Sequence, residues 1–209
     1  MDPDPAHGML GRLAEYEEAG APTATLYDEW SESYEHDLLV RYGYTAHSIA
    51  VDAFARMCPD RSAEVVDVGC GTGLVGVELA RLGFATFDGV DISEPMQNIA
   101  RSKGVYRRVF TGDLTSPTSI ENGAYQGAIC VGSFAPGHLG PSSLAEIARC
   151  VESGGPIVIF MNGVHFIADN YEQHIAKLVE RKVWRVKEIT SHNYMSAFDR
   201  PGRLIMVRR

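Results

Sequence analysis

The stretch VVDVGCGTGLVG, residues 65–76, is the most informative part of the chain, because a glycine-rich turn directly follows an apolar run. Two overlapping glycine patterns fit this turn. From Gly69 it is G-x-G-x-G, and from Gly71 it is G-x-G-x-x-G, the pattern of loops that bind a dinucleotide pyrophosphate at a helix N-terminus. The two patterns imply different ligands, one with a phosphate against the turn and one without.

The position of the turn relative to the apolar run favours the pattern that begins at Gly69. In dinucleotide-binding loops the first glycine ends the first strand. Here the run ends at Gly69, so the second pattern begins two residues too late, and the third fingerprint position falls on Leu74. Asp67 stands just before the turn, where a carboxylate suits a ligand with a positive amino group better than a pyrophosphate.

The rest of the chain alternates short apolar runs with amphipathic segments. Strands are predicted at 63–69, 86–92, 105–114, 127–134, 154–162, 183–190 and 202–209. Helices are predicted at 9–20, 45–58, 74–83, 93–104, 141–151 and 167–182, and residues 24–44 have helix-like aromatic spacing. This alternation predicts an α/β fold with a mostly parallel seven-stranded sheet, ending in an antiparallel hairpin because no helix joins the last two strands. Residues 1–58 are predicted to form an N-terminal helical lid, and 59–209 the core of one compact domain.

Composition and charge narrow the classes of partner. The chain has 209 residues, which suits one domain, and a formal charge of −8, which argues against nucleic acid. Its basic pairs, Arg107–Arg108 and Arg208–Arg209, are interpreted as solvated strand ends. No apolar run is long enough to span a membrane and the start does not resemble a signal peptide, so we expect a cytoplasmic protein. The four cysteines form no C-x-x-C pair and are expected to be reduced thiols, with no metal bound.

Acidic residues follow the second and third predicted strands, as the glycine turn follows the first. Ligands in such sheets lie at the carboxyl ends of the strands. There Asp91 can accept hydrogen bonds from both hydroxyls of a ribose, and Asp113 can accept one from an adenine amino group. Together with Asp67, these strand ends predict a ligand with adenosine at one end and an amino acid at the other, which is S-adenosylmethionine.

Four segments resemble, in order and spacing, the motifs of class I S-adenosylmethionine-dependent methyltransferases. They are VVDVGCGTG, GVDIS, TGDL and ESGGPIVIF. The resemblance covers roughly residues 60–209 and implies the Rossmann-like class I methyltransferase fold. The segment LYDEWSESYEHDL is similar to the Tyr-Asp-x-Trp segment that precedes this core in many small methyltransferases. With VGSFAPGHLGPSSLAEIARCVESGG, it resembles the methyltransferase-like protein 27 group and its microbial relatives.

This resemblance implies a role for particular residues. The turn backbone would face the methionine part of the cofactor, Asp91 would hold the ribose, and the other side chains would surround the adenine or close over the site. The implied cofactor contacts are Tyr27, Trp30, Tyr34, Gly69, Cys70, Gly71, Asp91, Ile92, Met96, Asp113, Leu114, Val131 and Ser133. S-adenosylhomocysteine would be the product.

The implied reaction is methyl transfer to an oxygen, nitrogen or sulfur atom of an acceptor, in which the protein mainly positions the reactants. A hydroxyl or ammonium acceptor also needs a general base. His138, after the fourth strand, and His165, after the fifth, are the leading candidates. The loop VGSFAPGHL lacks the Asn/Asp-Pro-Pro-aromatic motif of many enzymes that methylate bases or glutamine, which favours a small-molecule acceptor.

Two further interpretations and the assembly state stay open on the sequence. One is a non-catalytic S-adenosylmethionine-binding partner or sensor protein, and the other is a nicotinamide-dependent oxidoreductase. For partners we expect a small-molecule acceptor, no nucleic acid and no membrane, in a monomer or homodimer.

Overall fold

The computed structural model describes residues 11, 12, 15, 26, 29, 30, 33–135, 138–197 and 199–209. The predicted helix at 9–20 therefore lies largely outside the described residues, part of the predicted lid over 1–58 also does, and Tyr27 lies wholly outside them. None of the described helices is long and apolar enough to cross a membrane.

Seven strands form one sheet. They are β1 (Glu64–Val68), β2 (Thr86–Asp91), β3 (Arg108–Thr111), β4 (Gly127–Val131), β5 (Pro156–Asn162), β6 (Arg185–Asn193) and β7 (Pro201–Arg208). Their order is β3-β2-β1-β4-β5-β7-β6. The first five are parallel, and β7 pairs antiparallel with both β5 and β6. The predicted fold class, a mostly parallel sheet with an antiparallel C-terminal hairpin, is confirmed.

Six α-helices and one π-helical segment complete the described part of the chain. The helices are α1 (Ala46–Met57), α2 (Leu74–Arg81), α3 (Glu94–Ser102), α4 (Ser143–Cys150), α5 (Gly163–Ala168) and α6 (Tyr171–Glu180), and the π-helical segment is His36–Arg41. Ser93 caps α3, because its side chain accepts a hydrogen bond from the Met96 N–H.

The prediction of a single helix over 167–182 is wrong. Asn170 has a left-handed φ of 52°, which separates α5 from α6. The side chain of Asn162 accepts a hydrogen bond from the Val164 N–H at 2.9 Å, so α5 begins directly at the end of β5. The structure therefore places His165 on a helix at the carboxyl edge of the sheet.

The interpretation of the basic pairs as solvated strand ends is incomplete. The side chains of Arg107 and Arg108 are 40% and 63% exposed at the start of β3, but the four arginines also have partners in the protein. Arg107 and Arg108 both donate 2.8 Å hydrogen bonds to the buried carboxylate of Asp88 on β2. Arg208 and Arg209 donate to backbone carbonyls, which include Met57 at the end of α1. A charge in this part of the molecule is stabilising only when such partners satisfy it.

The hydrophobic core lies on both faces of the sheet. Val51, Phe54 and Leu79, from α1 and α2, are buried on one face, and Leu144 and Ile147, from α4, on the other. The helical layers thus leave only the carboxyl edge of the parallel strands free to form a site.

Candidate active site

The glycine turn after β1 uses its own N–H groups. Gly69 and Gly71 have φ of 66° and 51°, which glycine adopts without strain. The N–H groups of Gly69 and Cys70 donate to the carbonyl of Val90, at 2.8 and 3.1 Å, and that of Gly71 donates to Oδ2 of Asp91 at 2.7 Å. These donors are engaged within the protein, so the turn does not offer them to a phosphate.

Gly76 is a packing glycine, which removes the reason for reading the turn as a dinucleotide loop. A methyl group on Gly76 would overlap the ring of Tyr106. The hydroxyl of Tyr106 accepts a hydrogen bond from the Gly76 N–H at 3.1 Å and donates one to Oδ2 of Asp67 at 2.6 Å. Sequence reasoning missed Tyr106, and no motif around it carries a signal for this contact.

Asp67 is buried beneath the turn and does not line the cleft above it. Burial, opposed by the hydrogen bond from Tyr106 and reinforced by the nearby Asp91, raises the pKa of its carboxyl to about 7. Its Oδ1 atom has no hydrogen-bond partner among the described residues. The carboxylates of Asp91 and Asp113, which line the cleft, favour a cationic ligand there.

A cleft of about 330 Å³ lies at the carboxyl ends of β1 to β4, where the strand order reverses. It brings together most of the predicted site residues. Those that line it are Tyr34, Gly69, Gly71, Asp91, Ile92, Met96, Asp113, Leu114, Val131, Ser133 and His138. Sequence reasoning missed six further lining residues, namely Val90, Ser93, Gly112, Thr115, Gly132 and Leu139.

The polar and apolar groups of this cleft suit a nucleoside. Asp91 accepts N–H groups from Gly71 and Ser93, one on each carboxylate oxygen, which leaves each oxygen a second lone pair for a hydroxyl. Asp113 accepts two hydrogen bonds from Thr115 that lower the pKa of its carboxyl. The side chain of Ile92 is 58% exposed at the rim, an apolar surface on which a flat base can pack.

Three predicted site residues do not line this cleft. The side chain of Cys70 is buried. Burial is the main cause that raises the pKa of its thiol, and the nearby Asp67 and Asp91 add to it. Cys70 is therefore a packing residue. Trp30 and His165 line a second, smaller cavity instead. All four cysteines are buried and unpaired, and no group of metal-ligating side chains occurs among the described residues.

The second cavity has a volume of about 70 Å³ and adjoins the first, because Tyr34 and Gly132 line both. Its walls are mainly aromatic, from Trp30, Tyr34, Tyr44, Phe134, Phe160 and Tyr194, and its polar side chains are Asn162, His165 and Arg200. Sequence reasoning missed Phe160, although it ends the motif ESGGPIVIF, and it missed Arg200, which lies in a polar loop without a recognisable motif.

Trp30 and Tyr34 line the second cavity from the N-terminal side, and Tyr34 also lines the first cavity. The indole N–H of Trp30 donates to Oδ2 of Asp37 at 2.9 Å, and the two rings meet edge to face with centroids 4.9 Å apart. Burial, followed by the charges of Asp91 and Glu35, raises the pKa of Tyr34. Its hydroxyl therefore keeps its proton at the junction of the two cavities.

The residues present fit S-adenosylmethionine better than a dinucleotide. The turn N–H groups are engaged, the cleft is acidic, and Gly71 faces open space where a ligand can lie against the backbone. The cleft and the sheet are similar to those of class I S-adenosylmethionine-dependent methyltransferase domains, in which S-adenosylmethionine is the methyl donor.

Comparison with known proteins supports the similarity to methyltransferases. Residues 65–155 match the family described as methyltransferase domain. The chain is 33% identical to human methyltransferase-like protein 27 over 136 residues, which are 64% of this chain and 55% of that protein. The chain thus spans about half the length of this relative.

Solved structures share the fold at low sequence identity. One is a chain from the complex between the Haloferax volcanii Trm112 methyltransferase activator and a methyltransferase, with TM-score 0.65, 18% identity and coverage of 87% of this chain and 96% of that one. Another is an S-adenosylmethionine-dependent methyltransferase from Mesorhizobium loti, with TM-score 0.60, 16% identity and coverage of 78% and 100%.

Proposed function

We propose that the protein is an enzyme that transfers a methyl group from S-adenosylmethionine to a small-molecule acceptor held in the second cavity, which we call the acceptor cavity. The observation that carries this proposal is that the two cavities adjoin at Tyr34 and Gly132. Methyl transfer needs donor and acceptor in contact and in line, and an adjoining pair of cavities provides that arrangement.

The cofactor, when bound, supplies a methyl group on a sulfonium centre. Asp91 would accept the ribose hydroxyls, Asp113 the adenine amino group, and Ile92 would pack on the base. Met96 and Leu114 are buried beneath the cleft and would form its floor. The carboxylate of Asp91 would also favour the positive groups of the methionine part through its field.

Three observations support a small acceptor over a macromolecule. The acceptor cavity measures about 70 Å³, and Trp30, Tyr34, Leu38 and Tyr44 wall it from the N-terminal side, in keeping with a lid over 1–58. The formal charge of −8 also disfavours a polyanionic partner such as nucleic acid. The Trm112 partner belongs to the Haloferax protein; for this chain we propose no nucleic acid, no membrane, and a cytoplasmic monomer or homodimer.

The histidines divide between the two cavities. His165 lines the acceptor cavity and His138 the cofactor cleft. If the acceptor atom carries a proton at neutral pH, His165 is the better-placed base, since it lies beside the acceptor. His165→Gln then lowers kcat by about 10²–10⁴-fold with little change in cofactor affinity. His138→Gln, in the cofactor cleft, changes cofactor affinity more than kcat.

An open acceptor cavity also supports an enzyme over a non-catalytic cofactor sensor, in which this space would be filled. The deciding experiment has two parts. Calorimetry measures binding of S-adenosylmethionine and S-adenosylhomocysteine, and release of S-adenosylhomocysteine reports turnover on a panel of acids, alcohols, amines and thiols. Binding with turnover supports the enzyme. Tight binding without any turnover favours the sensor, and the absence of binding to a protein purified free of both compounds contradicts both.

A further inference from the structure

The two cavities differ in the charge of the side chains that line them. Asp91 and Asp113 line the cofactor cleft, whereas the described lining of the acceptor cavity contains neither aspartate nor glutamate. The acceptor cavity instead contains Arg200. A cationic acceptor would meet a guanidinium there and no counter-ion.

Backbone hydrogen bonds fix the position of Arg200, while its guanidinium makes no hydrogen bond or ion pair to a described residue. Its N–H donates to Oδ1 of Asn193 at 3.0 Å, and its carbonyl accepts the N–H of Tyr194 at 3.4 Å, which fixes the loop between β6 and β7. No hydrogen bond or ion pair joins its guanidinium to any described residue.

Several other arginines near the sheet have carboxylate or carbonyl partners. Arg107 and Arg108 bind Asp88, Arg149 binds Glu146, and Arg208 binds carbonyls. Arg200 is half-buried, so leaving its donors unmatched costs free energy that a bound anion would recover.

The surroundings of Arg200 define the chemistry of that anion. A guanidinium beside aromatic walls is weakly hydrated and matches the planar fork of a carboxylate. The 70 Å³ of the acceptor cavity is well below the cavity of about 150 Å³ that encloses a benzene ring. The enclosed part of the acceptor is therefore short, such as a carboxylate on one or two carbons.

We propose that the acceptor is a small organic acid whose carboxylate binds Arg200 in the acceptor cavity. This inference rests on the proposed function, because it assigns a substrate class to the same site. Arg200 is here a residue that selects and positions the substrate.

The test uses four probes of similar size and different charge: propionate, propionamide, propylamine and ethylphosphonate. Their affinities for the full chain are measured by ligand-observed NMR, with and without saturating S-adenosylhomocysteine. We compare the wild type with Arg200→Gln and Arg200→Lys. Arg203→Gln is the matched control, since Arg203 lies on β7 with its guanidinium 5.8 Å from the Phe166 ring centroid and does not line the acceptor cavity.

We expect the wild type to bind propionate at least about tenfold more tightly than propionamide or propylamine. Arg200→Gln should abolish this preference, Arg200→Lys should retain part of it, and Arg203→Gln should leave it unchanged. Absence of propionate binding, equal binding to Arg200→Gln, or tighter binding of propylamine overturns the inference. Tighter binding of ethylphosphonate than of propionate overturns the proposal of a carboxylate acceptor and favours a phosphorylated one.

The same samples separate this inference from the proposed function. Failure of the wild type to bind S-adenosylhomocysteine contradicts the methyltransferase proposal, while the titrations without cofactor still decide whether Arg200 selects acids. Binding of S-adenosylhomocysteine without an acid preference overturns the substrate class alone.

Discussion

The cofactor cleft and the acceptor cavity are built in opposite ways. The cleft takes its parts from the ends of four neighbouring strands, and its central contact, from the Gly71 N–H to Asp91, joins two short motifs. The acceptor cavity collects residues from the N-terminal segment, the loop after β4, the end of β5 and the β6–β7 loop. One is acidic and the other contains an arginine. The recognition of the common cofactor is thus local, while that of the acceptor depends on segments that meet only in the folded chain.

The largest effect that tests this separation is the loss of Asp91. Asp91→Ala removes the acceptor of the proposed ribose hydrogen bonds and leaves two backbone N–H groups without their partner, so we expect affinity for S-adenosylhomocysteine to fall by about 100-fold or more. Propionate binding should not change. Calorimetry on this variant and on Asp52→Ala, an exposed control on α1, measures both affinities. Cofactor affinity within about threefold of the wild type would contradict the assignment of Asp91.

A second test concerns the pH dependence that the buried carboxyl of Asp67 gives to the stability of the protein. Because burial raises the pKa of Asp67 to about 7, the folded protein keeps a proton that the unfolded chain releases near its ordinary pKa of about 4. The contribution of this group to stability is present at low pH and is lost as pH rises to about 7, by at most about 1.4 kcal/mol per pH unit.

Denaturant unfolding of wild type and Asp67→Asn between about pH 5 and pH 8 measures this contribution as the difference between the two stability curves. Asp113→Asn is the control, since the hydrogen bonds from Thr115 lower the pKa of Asp113 and place its titration below this window. Parallel curves for wild type and Asp67→Asn would show that Asp67 is already ionised near pH 5.

A third test separates two glycines that belong to the same sequence pattern. In Gly76→Ala the new methyl overlaps the ring of Tyr106, and we expect roughly 1–3 kcal/mol of lost stability. In Gly71→Ala the methyl enters open space in the cleft, and a φ of 51° costs about 1–2 kcal/mol. Gly71→Ala should therefore lose more cofactor affinity relative to stability than Gly76→Ala does. Thermal unfolding and calorimetry on both variants check this order, and the reverse order would place the ligand away from Gly71.

The smallest effect concerns Asp113 at the outer end of the cleft. Its carboxylate is exposed and already accepts two hydrogen bonds from Thr115. Asp113→Ala should weaken S-adenosylhomocysteine binding by about threefold to tenfold, as for one solvent-accessible hydrogen bond. A loss as large as that of Asp91→Ala would mean that the cofactor depends equally on both ends of the cleft.

The sequence predicts the cofactor side of the molecule well and the acceptor side poorly. The strand ends that carry Gly69, Asp91 and Asp113 are visible because each combines an apolar run with a turn or an acid. The contact of Tyr106 with Asp67 is not visible, since it joins a residue in the bend before β3 to a residue on β1 and depends on the space that Gly76 leaves on α2. The same holds for Arg200, whose guanidinium has no hydrogen-bond or ion-pair partner among the described residues, a property that only the folded arrangement defines.

The errors in secondary structure also have a physical cause. The helical pattern of 167–182 is continuous in polarity, so the break at Asn170 depends on one residue with a left-handed backbone. The interpretation of the arginine pairs rests on their position near strand ends alone. Their partners, Asp88 and backbone carbonyls, are far away in sequence and become visible only in the fold.

The place of β7 in the sheet has a consequence for how the chain folds. β7 follows β6 in sequence, yet it lies between β5 and β6, so β6 has no partner in the sheet until β7 is present. Arg208 on β7 also binds the carbonyl of Met57, across 151 positions of the chain. Such long-range pairing slows folding, because loop closure is unfavourable before the contacts form. The parallel strands β1 to β5 therefore expose an unpaired edge at β5 until β7 pairs with it.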